Sequence, residues 1–259
     1  QPSDAELESI YDEHYYEQFG FTAGPHANDG GLSRMKQATY ARMLEVARPE
    51  VRSRTGRLLD VGCGVGFSLL AAAAAGFDPV GLDPLAPNDP AHYPGRRIVR
   101  GMLETFGDAH GFDIVSLIDV IEHVRDPVST LAHAAELLAP GGVVLLATND
   151  SSSLGARLLG SRWTHYHRAH LWFFTPQTLG RVAEQAGLEL IRARPAARVY
   201  NLEYLASVIA RGDNFPLAAR LARLLLRVTP AAFLRGSWPP VREGFVLIAR
   251  KAARAPGAP

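Results

Sequence analysis

Over residues 58–193 the chain alternates short apolar runs with longer stretches of helical periodicity, the pattern of a parallel sheet covered by helices on both faces. Five runs, at 57–61, 79–82, 112–117, 143–148 and 188–193, read as strands. A sixth, at 244–250, follows only after a long segment rich in arginine and proline, so that excursion is expected outside the sheet. Two helices carry clear punctuation. Asp126 can cap the first and Pro127 fits its first turn, with Val128, Leu131, Ala134, Ala135 and Leu138 as its apolar stripe and Pro140, Gly141 and Gly142 as its stop. Thr175 and Pro176 open the second, which turns Leu179, Val182, Ala183 and Ala186 inward and ends at Gly187. Before the first strand, a capping box from Ser3 to Glu6 opens a helix that includes Tyr11, Tyr15 and Tyr16.

Composition narrows the class. With 259 residues, 47% hydrophobic and 20% charged, the chain is globular and large enough to build a core without disulfides, which fits its single cysteine, Cys63. Disorder, collagen and coiled coil are excluded. The net charge of +1 conceals an asymmetry: residues 1–180 carry −7 and residues 181–259 carry +8. A basic C-terminal third suits an anionic acceptor, a nucleic acid, a lipid surface or an internal partner of opposite charge. No segment reaches the ~20 apolar residues of a membrane span. The N-terminal residues, acidic from Asp4 to Glu17, are unlike a signal peptide, so a cytoplasmic enzyme or binding protein is the expectation.

The chemistry concentrates in LLDVGCGVG at 58–66, an apolar strand followed by three alternating glycines and then a helix from Phe67 into an alanine run. Glycine lets the backbone turn sharply and approach a ligand, and the helix offers free N–H groups. A nicotinamide-binding loop is spaced G-x-G-x-x-G. Counted from Gly62 the third glycine would fall at 67, which is Phe67, and Asp60 would repel a pyrophosphate.

These residues resemble the class I S-adenosylmethionine-dependent methyltransferases. The likeness continues through PVGLDP, FDIVSLIDVIEHVRDP, ELLAPGGVVLLATND and HLWFFTPQTLGRVAEQAGLEL, which are similar to the ubiquinone-type and small-molecule subgroup. It implies a Rossmann-like α/β fold: a seven-stranded sheet, mostly parallel with an antiparallel last strand and helices on both faces. It also implies an N-terminal helical cap at 1–55, a cofactor-binding core at 56–193, a helical insertion at 194–242 and a last core strand with tail at 243–259. Asp60 and the loop of Gly62, Cys63, Gly64 and Gly66 would hold the methionine part of the cofactor, and Asp83, followed by Pro84, the ribose hydroxyls. Where the family often has an acid for the adenine amino group this chain has Met102, so Met102 and Leu103 would pack on the ring, with a backbone carbonyl or Glu104 as the polar contact. Ile118 and Asp119, ending the fourth strand, complete the implied cofactor positions.

Methyl transfer to a hydroxyl needs alignment, exclusion of water and a base, and no metal is intrinsically required. His123 lies after the fourth strand, where related sugar and natural-product methyltransferases place active-site residues; its alternative role is to anchor the helix beginning near Asp126. The cluster WTHYHRAHLWFF supplies His165, His167 and His170, read as base or substrate-binding candidates or as polar residues of a loop packed by Trp163, Trp172, Phe173 and Phe174. Metal ligation is not expected of them, because no carboxylate or cysteine lies within the cluster. The catalytic candidates are therefore His123, His167 and His170.

The late segment contains an amphipathic helix with Leu217, Leu221, Leu224, Leu225 and Val228 on one face and Arg220, Arg223 and Arg227 opposite. It reads as a helix lying on the core with solvated arginines, or as a lid over the acceptor site, a dimer contact, or a surface that meets anionic lipid or a phosphate-bearing substrate. A homodimer through the N-terminal or late helices is compatible with this. A small-molecule acceptor is the expected substrate. A nucleic-acid substrate is disfavoured because no N-P-P-[YF] motif is present.

Overall fold

The computed structural model describes residues 31–53, 55–86, 95–107, 110–211, 216–236 and 239–251. The expected capping box at Ser3 and the tyrosines 11, 15 and 16 lie outside them. In chain order the main elements are α1 (Gly31–Ala47), β1 (Arg57–Val61), α2 (Phe67–Ala74), β2 (Asp78–Asp83), β3 (Ile98–Arg100), β4 (Phe112–Ile118), α3 (Pro127–Glu136), β5 (Leu138–Thr148), α4 (Leu154–Leu159), α5 (Pro176–Gln185), β6 (Leu188–Arg198), α6 (Leu202–Arg211), α7 (Pro216–Val228), α8 (Ala231–Leu234) and β7 (Val241–Lys251).

The strands form one sheet in the order β3-β2-β1-β4-β5-β7-β6. Strands β1 to β5 pair in parallel, and β7 runs antiparallel to both β5 and β6. This is the expected seven-stranded architecture. Because successive side chains of a strand point to opposite faces, each central strand feeds two cores. Leu59, Val115, Val144, Leu146 and Leu247 join Leu131 of α3 and Leu179 of α5 on one face. Leu58, Ile114, Val143, Leu145 and Ile248 join Met43 and Leu44 of α1 and Ala72 of α2 on the other. Burial on both faces explains why these strands read as unbroken apolar runs.

Three boundaries differ from the sequence reading for physical reasons. Asp126 caps α3, its Oδ1 accepting from the Ser129 amide at 3.0 Å. The helix ends at Glu136, however, so Leu138 opens β5 instead of extending the helical stripe, and Pro140, Gly141 and Gly142 sit in the irregular start of that strand. Strand β6 continues past residue 193 to Arg198 because it is an edge strand, where Pro195 costs no ladder hydrogen bond that is needed. Strand β3, on the opposite edge, is three mostly exposed residues and has no apolar run to betray it.

Leu131 is fully buried between α3 and the sheet. Leu131→Ala is expected to cost about 2–5 kcal/mol, read as a lower urea midpoint with unchanged m-value.

Candidate active site

The sheet order reverses at β1, whose neighbours are β2 and β4, and an α/β sheet opens its ligand crevice at the carboxyl ends of strands flanking such a point. There the chain leaves β1 through Gly62, whose backbone is left-handed at φ 71°. Its amide donates to the Leu82 carbonyl at 2.7 Å, and a Cβ at this position would fall 2.4 Å from Cγ2 of Val120. Gly64 is also left-handed, and its amide donates to Oδ2 of Asp83 at 2.8 Å, while the Leu85 amide donates to Oδ1 at 2.9 Å. The Asp83 carboxylate at the end of β2 is thus fixed by backbone on both oxygens.

Asp60 plays a different part from the one its position suggests. Its carboxylate is buried beneath the loop, accepting from the Ser116 hydroxyl at 2.6 Å and from the Ser68 hydroxyl, and it does not reach the cavity wall. Burial pushes its pKa up to about 6 against the pull of these two serines. Gly66 likewise lies behind the wall. Cys63 does line the cavity, yet it is buried, and burial followed by the charge of Asp60 drives its thiol well above the ordinary range. A neutral thiol packed against Gly81 is a filler, not a nucleophile.

Beyond the loop, β4 ends at Asp119, which has φ 56°, a left-handed conformation rare for a residue with a side chain. Arg198 holds it there with two hydrogen bonds, Nη1 to Oδ2 at 2.8 Å and Nη2 to Oδ1 at 2.5 Å. Although burial opposes ionisation, this guanidinium lowers the Asp119 pKa to about 2. Tyr200 and His165 then share Glu243, whose Oε1 lies 2.9 Å from His165 Nε2.

The reversal at Asp119 brings the next turn over the cavity. Glu122 is buried, and its carboxylate oxygens make no hydrogen bond of full geometry among the described residues, although the Thr148 hydroxyl and the residue's own backbone lie near enough to favour its ionised form. Burial, and then the negative charge of Asp119, raise its pKa to about 8. Its carbonyl accepts from the amides of Leu171 at 2.8 Å and Trp172 at 3.2 Å, and Trp172 Nε1 donates to Val124 at 2.8 Å, so the histidine loop is pinned to this turn. His123 Nδ1 donates to the Ala169 carbonyl at 2.8 Å, which leaves the ring's lone pair on Nε2. The ring centroids of His123 and His170 are 4.7 Å apart, and those of His167 and His170 3.8 Å. Burial first, and then the neighbouring imidazoles, lower His167 to about 4 and His170 to about 3, and burial lowers His123 as well. Burial therefore favours the uncharged forms throughout this cluster, the carboxylic acid at Glu122 and the neutral imidazoles.

These groups surround one cavity of about 1020 Å³. Of the residues expected from sequence, Gly62, Cys63, Gly64, Asp83, Pro84, Met102, Leu103, Ile118, Asp119, His123, His167 and His170 line it. Glu122, Arg198, Tyr200 and Tyr204, with Thr39 and Tyr40 from α1, also line it and had not been singled out. Glu122 could have been noticed as the acid beside His123. Arg198 lay beyond the expected end of its strand. S-adenosylmethionine fits the first wall: two left-handed glycines admit close approach, Asp83 presents a fixed carboxylate, and apolar Leu103 and Met102 flank Glu104 on the rim. On the second wall Glu122, His123 and His170 each place one ligand atom in a group within 4.8 Å of one another, a donor set that can hold a divalent cation.

The sequence matches the family described as Methyltransferase domain over residues 32–193. It is 32% identical over 174 residues to a ubiquinone biosynthesis O-methyltransferase of Dinoroseobacter shibae, covering 61% of this chain and 68% of that protein. The protein of the same name from Ruegeria pomeroyi is 36% identical over 174 residues, with the same coverage. Among solved structures, a Burkholderia thailandensis 1,6-didemethyltoxoflavin-N1-methyltransferase with bound S-adenosylhomocysteine superposes with a TM-score of 0.58 at 15% identity, over 98% of this chain and 92% of that one. At that identity the likeness speaks to the fold alone.

Glu122 gives a pH test. Its raised pKa means that its contribution to stability is full below pH 4.5 and is lost as pH rises to about 8. In buffer containing a chelator, Glu122→Gln is expected to raise the thermal midpoint at pH 9, by a free energy on the order of a few kcal/mol, and to leave it near wild type at pH 4.5.

Proposed function

The chain belongs to the class I S-adenosylmethionine-dependent methyltransferases, and on that premise we propose that it methylates a hydroxyl of a small molecule, a sugar or other natural-product intermediate, with a histidine as the base. The observation that carries this reading is the wall of neutral imidazoles facing the glycine loop across the cavity. The curated relatives named above are O-methyltransferases, in agreement with a hydroxyl acceptor.

The cofactor supplies an electrophilic methyl on a sulfonium, and the protein's task is to align the acceptor oxygen with it and take the hydroxyl proton. In this reading the backbone of Gly62 and Gly64 would cradle the methionine part, Asp83 would receive the ribose hydroxyls, and Leu103 and Met102 would pack on the adenine with Glu104 as its polar contact. His123 accepts the proton at Nε2, the nitrogen left with a lone pair by the bond from Nδ1 to Ala169. His167 and His170 hydrogen-bond the acceptor. With the cofactor held there, an acceptor oxygen brought in line with the sulfonium methyl would be the nucleophile that His123 relieves of its proton.

A second reading follows from the grouping of Glu122, His123 and His170: a divalent cation bound there would lower the acceptor's pKa and replace the histidine base. It requires an ionised Glu122, so metal affinity would fall as pH drops below about 8.

Calorimetry with S-adenosylhomocysteine is expected to show binding that Asp83→Ala weakens about 10- to 100-fold, the cost of charge-assisted hydrogen bonds to the ribose. Absence of binding by the wild-type chain would sink the assignment of the site. Against an acceptor that turns over, His123→Ala is expected to lower kcat by roughly 10²- to 10⁴-fold while affinity for S-adenosylhomocysteine stays within about threefold. Turnover that survives a chelator supports the histidine base; turnover abolished by chelation and restored by zinc or magnesium supports the cation.

A further inference from the structure

Helix α7 contradicts the expectation that its leucines lie on the core. It packs against α6 through Ala219 and Ala222, which are 3% and 7% exposed, whereas Leu217, Leu221 and Val228 are 74%, 67% and 68% exposed. At about 100° per residue, Leu217, Leu221, Leu224, Leu225 and Val228 occupy one arc of roughly 100° on the side away from α6. Counted from the centre of this ridge, Arg220 and Arg227 stand about 90° and 110° round the helix and flank it, whereas Arg223, about 150° away, turns back toward α6, where its Nη1 donates to the Ala210 carbonyl. After the turn at Pro230, Phe233 of α8 adds another largely exposed apolar side chain. Among the described residues none covers the ridge. An apolar stripe of this kind on a folded chain marks a surface that meets something else.

Charge identifies what it meets. Helix α7 contains three arginines and no acid, and residues 202–243 hold six arginines against Glu203, Asp213 and Glu243, of which Glu203 pairs Arg235. A second copy docked ridge to ridge about a twofold axis would set Arg220 and Arg227 of one helix near the same pair of the other, with no carboxylate of α7 to pair them. A nucleic acid would take the arginines and leave the leucines in water. An anionic bilayer satisfies both sets of side chains at once, the leucines entering the acyl boundary while the arginines lie among the headgroups.

We infer that α7 is an interfacial helix that seats this face of the protein on an anionic lipid surface. It lies on α6, which carries Tyr204 of the cavity wall, so the seated helix is one element removed from the acceptor side of the cavity. The inference does not depend on the identity of the acceptor or of the base.

The test is sedimentation of the full chain with vesicles of phosphatidylcholine alone and of phosphatidylcholine with phosphatidylglycerol. Binding is expected to the anionic vesicles, at least tenfold tighter than to neutral ones and weakened by salt. Leu217→Ser/Leu221→Ser/Leu224→Ser is expected to reduce it at least tenfold, and Arg220→Gln/Arg227→Gln several-fold, with the thermal midpoint and S-adenosylhomocysteine affinity unchanged. Arg223 is left in place because its Nη1 donates to the Ala210 carbonyl at 2.9 Å. Failure to bind anionic vesicles, equal binding to both kinds, or leucine variants that bind as wild type would overturn the inference. So would a wild-type dimer that the leucine changes convert to monomer, which assigns the ridge to a second copy, or a fall of several degrees in their melting, which assigns it to the chain's own packing.

Discussion

The bond pair between Arg198 and Asp119 is the constraint on which the site depends. Asp119 is held in a left-handed conformation that costs on the order of 1 kcal/mol or more for a residue with a Cβ, and a bidentate guanidinium offsets it. What the strain accomplishes is a reversal of the chain directly after β4. Val120 is thereby laid against the bare face of Gly62, where a Cβ would collide with it, so the cofactor loop and the acceptor wall are fitted to each other. Glu122 and His123 follow within the same turn and inherit its position. Arg198 itself comes from the far edge of the sheet, at the end of β6, so the late part of the chain is structurally committed to the site before any acceptor arrives.

That dependence explains which parts of the molecule were legible in the sequence. The sheet core was, because Leu58, Leu59, Ile114, Val115, Val143 and Val144 are buried on both faces and must all be apolar. The glycine turn was, because the left-handed backbone at Gly62 and Gly64, which sets the Gly64 amide on Asp83, calls for glycine. Asp60 was read as part of the cofactor wall, but an acid at a strand end can turn outward to a ligand or inward to two serines, and the deciding partners, Ser68 and Ser116, lie in other elements. Arg198 was invisible for the same reason: its partner is 79 residues away in sequence. The ridge of α7 was visible as a stripe, but a stripe does not say which side is covered, and here two alanines make the contact while the leucines face outward.

The charge asymmetry resolves in similar terms. Several of the basic residues that give the last third its +8 are consumed internally: Arg192 on the Glu50 carboxylate, Arg198 on Asp119, Arg235 on Glu203, and Arg250 on the Glu50 carbonyl. Two of these link the late strands to the segment just after α1, so part of the attraction between an acidic first part and a basic last part holds the fold together. Of the rest, Arg181, Arg194, Arg242 and Lys251 are exposed singly, while Arg220 and Arg227 stand together beside the apolar ridge of α7. Exposed arginines on an element without acids are a different physical object from arginines that close a sheet edge, although composition counts them alike.

Electrostatics on the acceptor side run in the opposite direction. Burial favours the protonated acid at Glu122 and neutral forms of the three imidazoles, so this group is polar without carrying the charge that the nearby Arg198–Asp119 pair does. In the proposed reading, these groups would meet a neutral hydroxyl by donating from the acid and accepting at imidazole nitrogen. The cluster is also poised. Loss of the single proton on Glu122 would turn the same residues into an anionic carboxylate flanked by two neutral imidazoles, the donor set of a divalent cation. The two readings thus part at one buried carboxyl group, and the burial that raises its pKa favours its uncharged form.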